Sequence, residues 1–403
     1  MQLVTTEADG DRKARANALR LAAAQALAGA NATVVFATAA IIGSTLSADP
    51  ALVTAPVSLF VVGMAVGTLP TGWLARRFGR RVAFITGSGF GCLAGLIAAA
   101  ALMLGSFPLY CVATFCAGLY GAVVQSFRFA AADGASAAFR SRAISWVMVG
   151  GLFSGVLGPQ LVTWTMDLWP PYLFAASYLA QAVVALVAMA VLAGVDLPRP
   201  ARAEVAKGRP LAEIIRQPRF VVAVLCGVIT YTLMNLVMTS APLAMRMCGL
   251  PISASNASIQ WHVVAMYGPS FFTGALITRF GAKRVMATGM LLLAAAALAG
   301  LSGIGVANFT LGLVLLGVGW NFGFVGASSL VLETHRPEER TRVQSFNDFL
   351  IFGTMALGSF SSGKLLLTLG WAAVNWVVLP AVGIGLLALL ASAWLGRRAA
   401  RTA

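Results

Sequence analysis

The feature that most constrains this chain is a series of long apolar runs, separated by short segments rich in glycine, proline and basic residues. A helix that crosses the hydrocarbon core of a bilayer needs about 20 mostly apolar residues. Because 59% of the 403 residues are apolar and 10% are charged, the chain can supply roughly a dozen such helices. A water-soluble fold of this size needs far more charge to cover its surface. The sequence therefore predicts an all-α membrane protein, and we expect no enzymatic activity because little chain remains for a soluble catalytic domain.

Twelve transmembrane helices are predicted from the apolar runs. Their approximate ranges are 19–46, 51–75, 82–104, 108–132, 143–166, 171–193, 220–245, 254–278, 285–304, 307–332, 345–367 and 371–395. One long polar stretch, 196–219, follows the sixth helix. We therefore expect an N-terminal six-helix bundle at 1–195, a cytoplasmic linker at 196–219 and a C-terminal six-helix bundle at 220–403.

Lys and Arg residues lie almost entirely on one side of this predicted topology. The two terminal segments and the loops after even-numbered helices, with the adjoining helix ends, hold all of the 28 except Arg246 and Lys364. Loops rich in Lys and Arg stay cytoplasmic, which predicts that both termini face the cytoplasm of a bacterial inner membrane. The net charge of +15 is then explained by topology. We expect the lipid bilayer as a partner, and no nucleic acid.

The two halves of the chain share a repeated segment. Gly72-Trp-Leu-Ala-Arg-Arg-Phe-Gly-Arg-Arg81 follows the second predicted helix, and Gly274-Ala-Leu-Ile-Thr-Arg-Phe-Gly-Ala-Lys283 follows the eighth. The pattern resembles the loop signature of the major facilitator superfamily, although Arg76 and Thr278 replace the aspartate usual there. The resemblance implies two pseudo-symmetric six-helix bundles that work by alternating access. In duplicated transporters the substrate site lies near the membrane midplane, between the repeats.

Sulfur and imidazole side chains form two pairs in predicted helices seven and eight. Met234 and Met238 are four residues apart, as are His262 and Met266, so each pair lies on one helical face. The helical rise places Met234 and Met266 about 21 and 18 Å from the cytoplasmic helix ends, and Met238 and His262 about 27 and 24 Å. In antiparallel neighbouring helices, the four donors would therefore agree in depth.

The chemistry of these donors indicates a soft metal ion. The methionine pair alone is weak evidence, since about 0.5 such pairs arise by chance in this composition and Met286 and Met290 form another. A His–Met pair arises by chance only about 0.07 times, and an ionisable residue within a bilayer usually marks a functional site. Thioether and imidazole donors without carboxylates favour copper as Cu(I). We expect copper as the transported ion, with no cofactor.

Further soft or titratable side chains extend the predicted path. Met245, Met247 and Cys248 lie near the outer end of helix seven, and Cys226 lies toward its cytoplasmic end. These four residues are candidates for a copper relay, although packing explains Cys226 equally well. Asp348, early in helix eleven, is the candidate proton site for coupled transport; a hydrogen-bonding role at a helix end is the alternative.

The Met and His pairs, together with Cys226 and Cys248, resemble the CcoA-type copper importers of the major facilitator superfamily. The stretch Gly319-Trp-Asn-Phe322 also resembles this group. The resemblance implies an inner-membrane importer that supplies copper for cytochrome c oxidase assembly. It also implies that the two pairs take part in copper transport, and we expect delivery to a cytoplasmic copper-accepting protein.

Two other functions are compatible with the sequence. A carrier of riboflavin or another small organic solute would stack its cargo on aromatic residues such as Trp146, Trp261 and Trp320, and would not need the methionine pairs. A non-transporting copper-binding membrane protein would bind the metal but show no flux across sealed vesicles. Comparing uptake of copper with uptake of riboflavin separates these possibilities.

Overall fold

A computed structural model describes residues 2–49, 52, 55–133, 135–197 and 208–402. These residues are helical with short connections and contain no β-strand. The helices are α1 (Gln2–Leu46), α2 (Ala55–Phe78), α3 (Arg80–Leu104), α4 (Phe107–Gln125), α5 (Phe127–Ala132), α6 (Ala137–Thr165), α7 (Ala175–Ala193), α8 (Leu211–Ile215), α9 (Pro218–Met247), α10 (Ile252–Tyr267), α11 (Ser270–Phe280), α12 (Ala282–Leu301), α13 (Val306–Val331), a 3₁₀ turn (Pro337–Glu339) and α14 (Arg340–Thr402). The all-α prediction is confirmed. Residues 198–207 of the predicted linker lie outside the described residues.

Ten helical segments in the described part of the chain are long and apolar enough to cross a membrane. They correspond to ten of the twelve predicted spans. The eighth predicted span is divided into α10 and α11 at Gly268 and Pro269, where proline lacks the N–H that would continue the helix. The eleventh is helical and runs into the twelfth within α14, where Gly370 has non-helical backbone angles.

The described helices form two compact units. The first unit comprises Met1–Lys207 together with Gln344–Ala356, and the second comprises Gly208–Val343 together with Leu357–Ala403. The segment Gln344–Ala356 of α14 thus belongs to the first unit, although its neighbours along the chain on both sides belong to the second.

In the first unit, α1 packs against α6 and α7, and α2 and α3 pack against α4. Glycines permit these close contacts: a Cβ atom on Gly63 or Gly118 would collide with backbone of the partner helix at the crossing of α2 and α4. Small residues at such crossings allow bilayer helices to approach closely, where dispersion contacts stabilise them.

In the second unit, α13 is the central packing element. It contacts α9, α10 and α12, whereas α9 and α10 contact each other much less extensively. A Cβ atom on Gly317 would lie 2.7 Å from the His262 carbonyl oxygen, and one on Gly323 would lie 2.5 Å from the Thr230 hydroxyl. These two glycines therefore allow α13 to approach both α10 and α9.

Candidate functional site

His262 is fully buried on α10 and faces α13. Its Nδ1 atom lies 2.7 Å from the carbonyl oxygen of Leu313. Because a carbonyl oxygen can only accept, Nδ1 carries the hydrogen and donates it. The neutral ring then presents a lone pair at Nε2, and Nε2 has no hydrogen-bond partner among the described residues. His262 can therefore accept a hydrogen bond or bind a metal ion through Nε2.

Asn321 of α13 binds both sides of the break between α10 and α11. Its Nδ2 donates to the Met266 carbonyl oxygen at 2.6 Å and to the Ser270 hydroxyl at 2.7 Å. Its Oδ1 accepts from the Thr273 hydroxyl at 2.7 Å. A buried side-chain amide with all three contacts replaces hydrogen bonds that the interrupted helix lacks, as required where water is absent.

Four aromatic rings from α9, α10 and α13 surround the same region of the second unit. Trp320 stacks on Phe324 with ring centroids 5.1 Å apart, and it contacts Tyr231 and Tyr267 edge-on at 5.5 and 5.6 Å. We call these four residues the aromatic cluster. Trp320 is 1% exposed, and its indole Nε1 has no hydrogen-bond partner among the described residues.

Other buried polar atoms on α9 also lack partners within the described part of the chain. They include the Thr230 hydroxyl and the Asn235 side-chain nitrogen. An unpartnered buried polar group costs about 1–3 kcal/mol. Such groups are uncommon, and each calls for a physical explanation.

The structure places the predicted metal ligands on two helices that both pack on α13. Met234 is buried and Met238 half-buried on α9, while His262 and Met266 are buried on α10. Sequence reasoning paired α9 directly with α10 and therefore missed Leu313 and Gly317 on α13, and it noted Asn321 only as part of a family resemblance. An asparagine within an apolar run was the available signal. The convergence of the four donors on one ion stays a prediction.

The predicted relay residues differ in exposure. Cys226 is buried, with its sulfur 4.0 Å from the Gly385 carbonyl oxygen, and Met245 is also buried. Beyond Met245 at the same end of α9, Met247 is 56% exposed and Cys248 is half-buried. No group of three His, Cys, Asp or Glu side chains suited to a metal ion occurs among the residues that the structure describes.

Asp348 belongs to the first unit and is buried in an ion pair. Its Oδ1 accepts hydrogen bonds from Arg128 Nη2 and, at 3.0 Å, from Asn347 Nδ2. A second buried pair lies in the same unit, where Arg80 Nε donates to Asp133 at 2.6 Å and Arg80 also donates to Gln344. The Asp348 carboxylate thus forms a buried ion pair with the Arg128 guanidinium.

The three tryptophans considered for stacking occupy different environments. Trp261 is 58% exposed, and Trp146 is half-buried with its ring edge-on to Phe139. Trp320 alone of the three belongs to the aromatic cluster. It is therefore the strongest candidate of the three for contact with an aromatic cargo.

Comparison with known families identifies the chain. The profile of the Major Facilitator Superfamily matches residues 21–268 and 253–403. The chain belongs to the major facilitator superfamily. It is accordingly a multi-pass membrane transporter and not an enzyme.

Individual relatives give finer comparisons. The chain is 48% identical over 380 residues to the riboflavin transporter RfnT of Brucella anthropi, covering 94% of this chain and 96% of that protein. It is 29% identical over 384 residues to the uncharacterized MFS-type transporter YdeG of Bacillus subtilis, covering 91% and 88%. The expectation of copper transport finds no support in these relatives.

Solved structures share the fold. The proton:xylose symporter XylE bound to 6-bromo-6-deoxy-D-glucose superposes with a TM-score of 0.76 at 14% identity, over 94% of this chain and 95% of that one. A bacterial homologue of the iron transporter ferroportin, in an outward-facing state, gives a TM-score of 0.69 at 15% identity, over 93% and 98%. At such identities the likeness shows the fold alone.

Proposed function

We propose that this transporter carries riboflavin or a closely related planar heteroaromatic solute. The observation that carries the proposal is Trp320, whose buried indole N–H lacks a partner within the aromatic cluster. The 48% identity to a riboflavin transporter over nearly the whole chain supports the same substrate class.

The second unit offers the interactions that a flavin ring needs. Stacked or edge-on aromatic pairs contribute about 0.5–1.5 kcal/mol beyond the apolar area they bury. The indole N–H of Trp320 can donate to a ring carbonyl, and the lone pair at His262 Nε2 can accept from a hydroxyl of the ribityl chain. The two unpartnered groups therefore provide one hydrogen-bond donor and one acceptor for a flavin.

Uptake of labelled riboflavin by proteoliposomes tests this proposal. Trp320→Phe keeps an aromatic ring but removes the N–H, and we expect uptake to fall about tenfold, as for a lost hydrogen bond of about 1.4 kcal/mol. Trp371→Phe is the matched control, because the Trp371 N–H already donates to the Gly300 carbonyl oxygen at 3.0 Å. Wild-type vesicles that take up no riboflavin would refute the proposal.

Copper as Cu(I) is a second candidate cargo, favoured by one specific observation. His262 Nε2 is an unpartnered imidazole nitrogen, and the buried thioether Met266 lies one helical turn away. These are donor types that suit Cu(I). A membrane potential of 100 mV, negative inside, would favour entry of a monovalent cation by about 2.3 kcal/mol.

The same vesicles test copper directly with radioactive Cu(I). If copper is the cargo, the double variant His262→Ala with Met266→Ala takes up no copper. Neither wild type nor any variant then takes up riboflavin. The matched control is Met286→Leu with Met290→Leu, a buried pair with the same spacing outside the proposed site. Copper binding without flux would instead indicate a non-transporting copper-binding protein.

We further propose the cellular setting that the basic loops suggest. Both termini would face the cytoplasm of a bacterial inner membrane, with bundles at 1–195 and 220–403 joined by the segment 196–219 and alternating access to the cargo. If the cargo is copper, the transporter would import it for delivery to a cytoplasmic copper-accepting protein and for cytochrome c oxidase assembly. Reporter fusions at the two ends, active only in the cytoplasm, test the orientation.

A further inference from the structure

The first unit contains a buried amide pair that neither cargo proposal uses. Gln181 of α7 and Asn31 of α1 are 2% and 3% exposed. Asn31 Nδ2 donates to the Ala117 carbonyl oxygen at 3.2 Å, so Asn31 Oδ1 must be the atom that accepts from Gln181 Nε2. This orients the Gln181 amide and leaves its Oε1 without a partner among the described residues.

The two amides line a small cavity between α1, α4, α6 and α7. Apart from Asn31, Gln181 and Tyr120, its walls are aliphatic. The Tyr120 hydroxyl is fully buried and forms no well-aligned hydrogen bond, although the Ser88 hydroxyl is its polar neighbour. Two amides and one hydroxyl thus converge on a void whose other walls are aliphatic.

A neighbouring network shows that this unit can satisfy its buried polar groups. Tyr178 lies three residues before Gln181 on α7 and is equally buried. Its hydroxyl lies 2.8 Å from the Thr38 hydroxyl and 2.5 Å from the Tyr110 hydroxyl. Burying an amide oxygen without a hydrogen-bond partner costs free energy. If position 181 served only to pack the helices, an aliphatic residue would be more stable there. The orphaned oxygen therefore calls for a partner that is present only part of the time.

We propose that Gln181 is a specificity-determining residue whose Oε1 accepts a hydrogen bond from a neutral N–H or O–H group of the cargo, with Asn31 as its positioning residue. The cavity is narrow, so the cargo group reaches it when the surrounding helices part during transport. This inference rests on the proposed riboflavin function. Riboflavin has two groups of the required kind, the imide N–H of its ring and the hydroxyls of its ribityl chain.

Equilibrium binding to the full-length protein in lipid nanodiscs, followed by quenching of flavin fluorescence, tests the proposal. The ligands are riboflavin, riboflavin methylated at its imide nitrogen and lumichrome, which has the imide but no ribityl chain. Each is titrated against wild type and Gln181→Met, which has similar length but forms no such hydrogen bond. Tyr178→Phe is the control for loss of a satisfied buried hydroxyl on the same helix.

We expect Gln181→Met to weaken riboflavin binding about tenfold and Tyr178→Phe to change it less than twofold. If the imide is the donor, wild type binds the methylated ligand about tenfold more weakly than riboflavin, whereas Gln181→Met binds these two ligands equally well. Lumichrome then binds Gln181→Met more weakly than it binds wild type. If the ribityl chain is the donor, lumichrome binds both proteins equally. Coupling of this kind indicates direct contact.

Other outcomes overturn the inference. Equal losses for every ligand with Gln181→Met, or an equal loss with Tyr178→Phe, would indicate a structural role for the amide. Riboflavin bound and transported by wild type, with unchanged affinity in Gln181→Met, would refute this inference and leave the proposed function standing. Absence of riboflavin binding by wild type would refute both. If Gln181→Met does not fold, wild type alone still tests the inference. Wild type that binds riboflavin, the methylated ligand and lumichrome with equal affinity would also refute it.

Discussion

The two repeated loops, after α2 and after α11, have the same backbone but different chemistry. Gly79 and Gly281 occupy equivalent positions with φ of 92° and 85° and ψ of 157° and 149°. After Gly79, Arg80 is buried and paired with Asp133. After Gly281, Ala282 takes the equivalent position, and Lys283 donates to the Ser392 hydroxyl at 2.8 Å. The repeat has thus kept the turn, while the buried charge belongs to the first loop.

A sequence motif shared by the two units therefore need not have the same role in both. The first unit buries two ion pairs, Arg80 with Asp133 and Arg128 with Asp348, all at 5% side-chain exposure or less. Removing one partner of such a pair leaves an uncompensated buried charge, which costs about 3–5 kcal/mol. We therefore expect removal of one charge to lower the stability of the first unit more when it belongs to a buried pair than when it is Lys283 of the second loop.

The largest expected effect follows from Asp348→Ala. Asp348→Ala removes the carboxylate that pairs with the buried Arg128, and the first unit should lose about 3–5 kcal/mol of stability. The double variant Arg128→Met with Asp348→Leu should recover most of the loss, because both charges of this pair are then absent. Unfolding midpoints in detergent measure both effects. Equal destabilisation of the single and double variants would contradict the ion-pair explanation.

The direct test of the loop comparison is Arg80→Met beside Lys283→Met. Arg80→Met removes the arginine that pairs with the buried Asp133 and should cost about 3 kcal/mol. Lys283→Met removes a partly exposed hydrogen bond and should cost less than about 1 kcal/mol. The same unfolding assay measures both, and similar midpoints for the two variants would remove the distinction between the loops.

An ion pair outside the bilayer gives the second unit its own charge dependence. Glu339 accepts from Arg209 Nε and Nη2, both at 2.8 Å, and these hydrogen bonds lower the Glu339 pKa from 4.5 to about 2. Because the folded pKa is lowered, this stabilisation is complete above about pH 5 and is lost as pH falls from about 4.5 toward 2. We expect it to contribute on the order of 2 kcal/mol at neutral pH.

Acid titration of the unfolding midpoint checks that expectation. Glu339→Gln should lower the midpoint at pH 7 and flatten its decline between about pH 4.5 and 3. Glu213→Gln is the control, since Glu213 is half exposed and lies 3.9 Å from the same arginine. A decline that persists unchanged in Glu339→Gln would assign it to other carboxylates.

The smallest expected difference is between the two glycines that begin the loops. Both glycines have φ and ψ values that residues with a Cβ atom rarely adopt, and Gly→Ala there costs about 1–3 kcal/mol. Gly79→Ala and Gly281→Ala should therefore lower the unfolding midpoint by similar amounts. A clear difference between them would show that the shared turn is under different strain in the two units.

Much of the fold could be predicted from the sequence because it depends on length and repetition. Apolar runs long enough to cross a bilayer gave the helices, and the repeated Gly-x-Leu-x-x-Arg-Phe-Gly segment indicated the family that the comparison established. The break at Gly268 and Pro269 was missed, because an apolar run reads the same whether or not one turn within it is interrupted.

The candidate site was predicted only in part, since periodicity does not say which helix a side chain faces. His262 and Met266 were recognised from their spacing, but their contacts with α13 depend on packing. Gln181 and Asn31 are 150 residues apart and meet only in the folded first unit. Copper was inferred from donor type, whereas the relative RfnT of Brucella anthropi is a riboflavin transporter. Donor softness can identify a compatible ion without identifying the cargo.

The contacts of Asn321 have a consequence for how the second unit can move. One side chain joins the end of α10 to the start of α11, and α10 is also attached to α13 through His262. α10 and α11 can therefore rotate relative to each other only after Asn321 releases Met266 on one side or both Ser270 and Thr273 on the other. Their connection depends on three hydrogen bonds of one side chain, and a polar molecule can compete for each of them in turn.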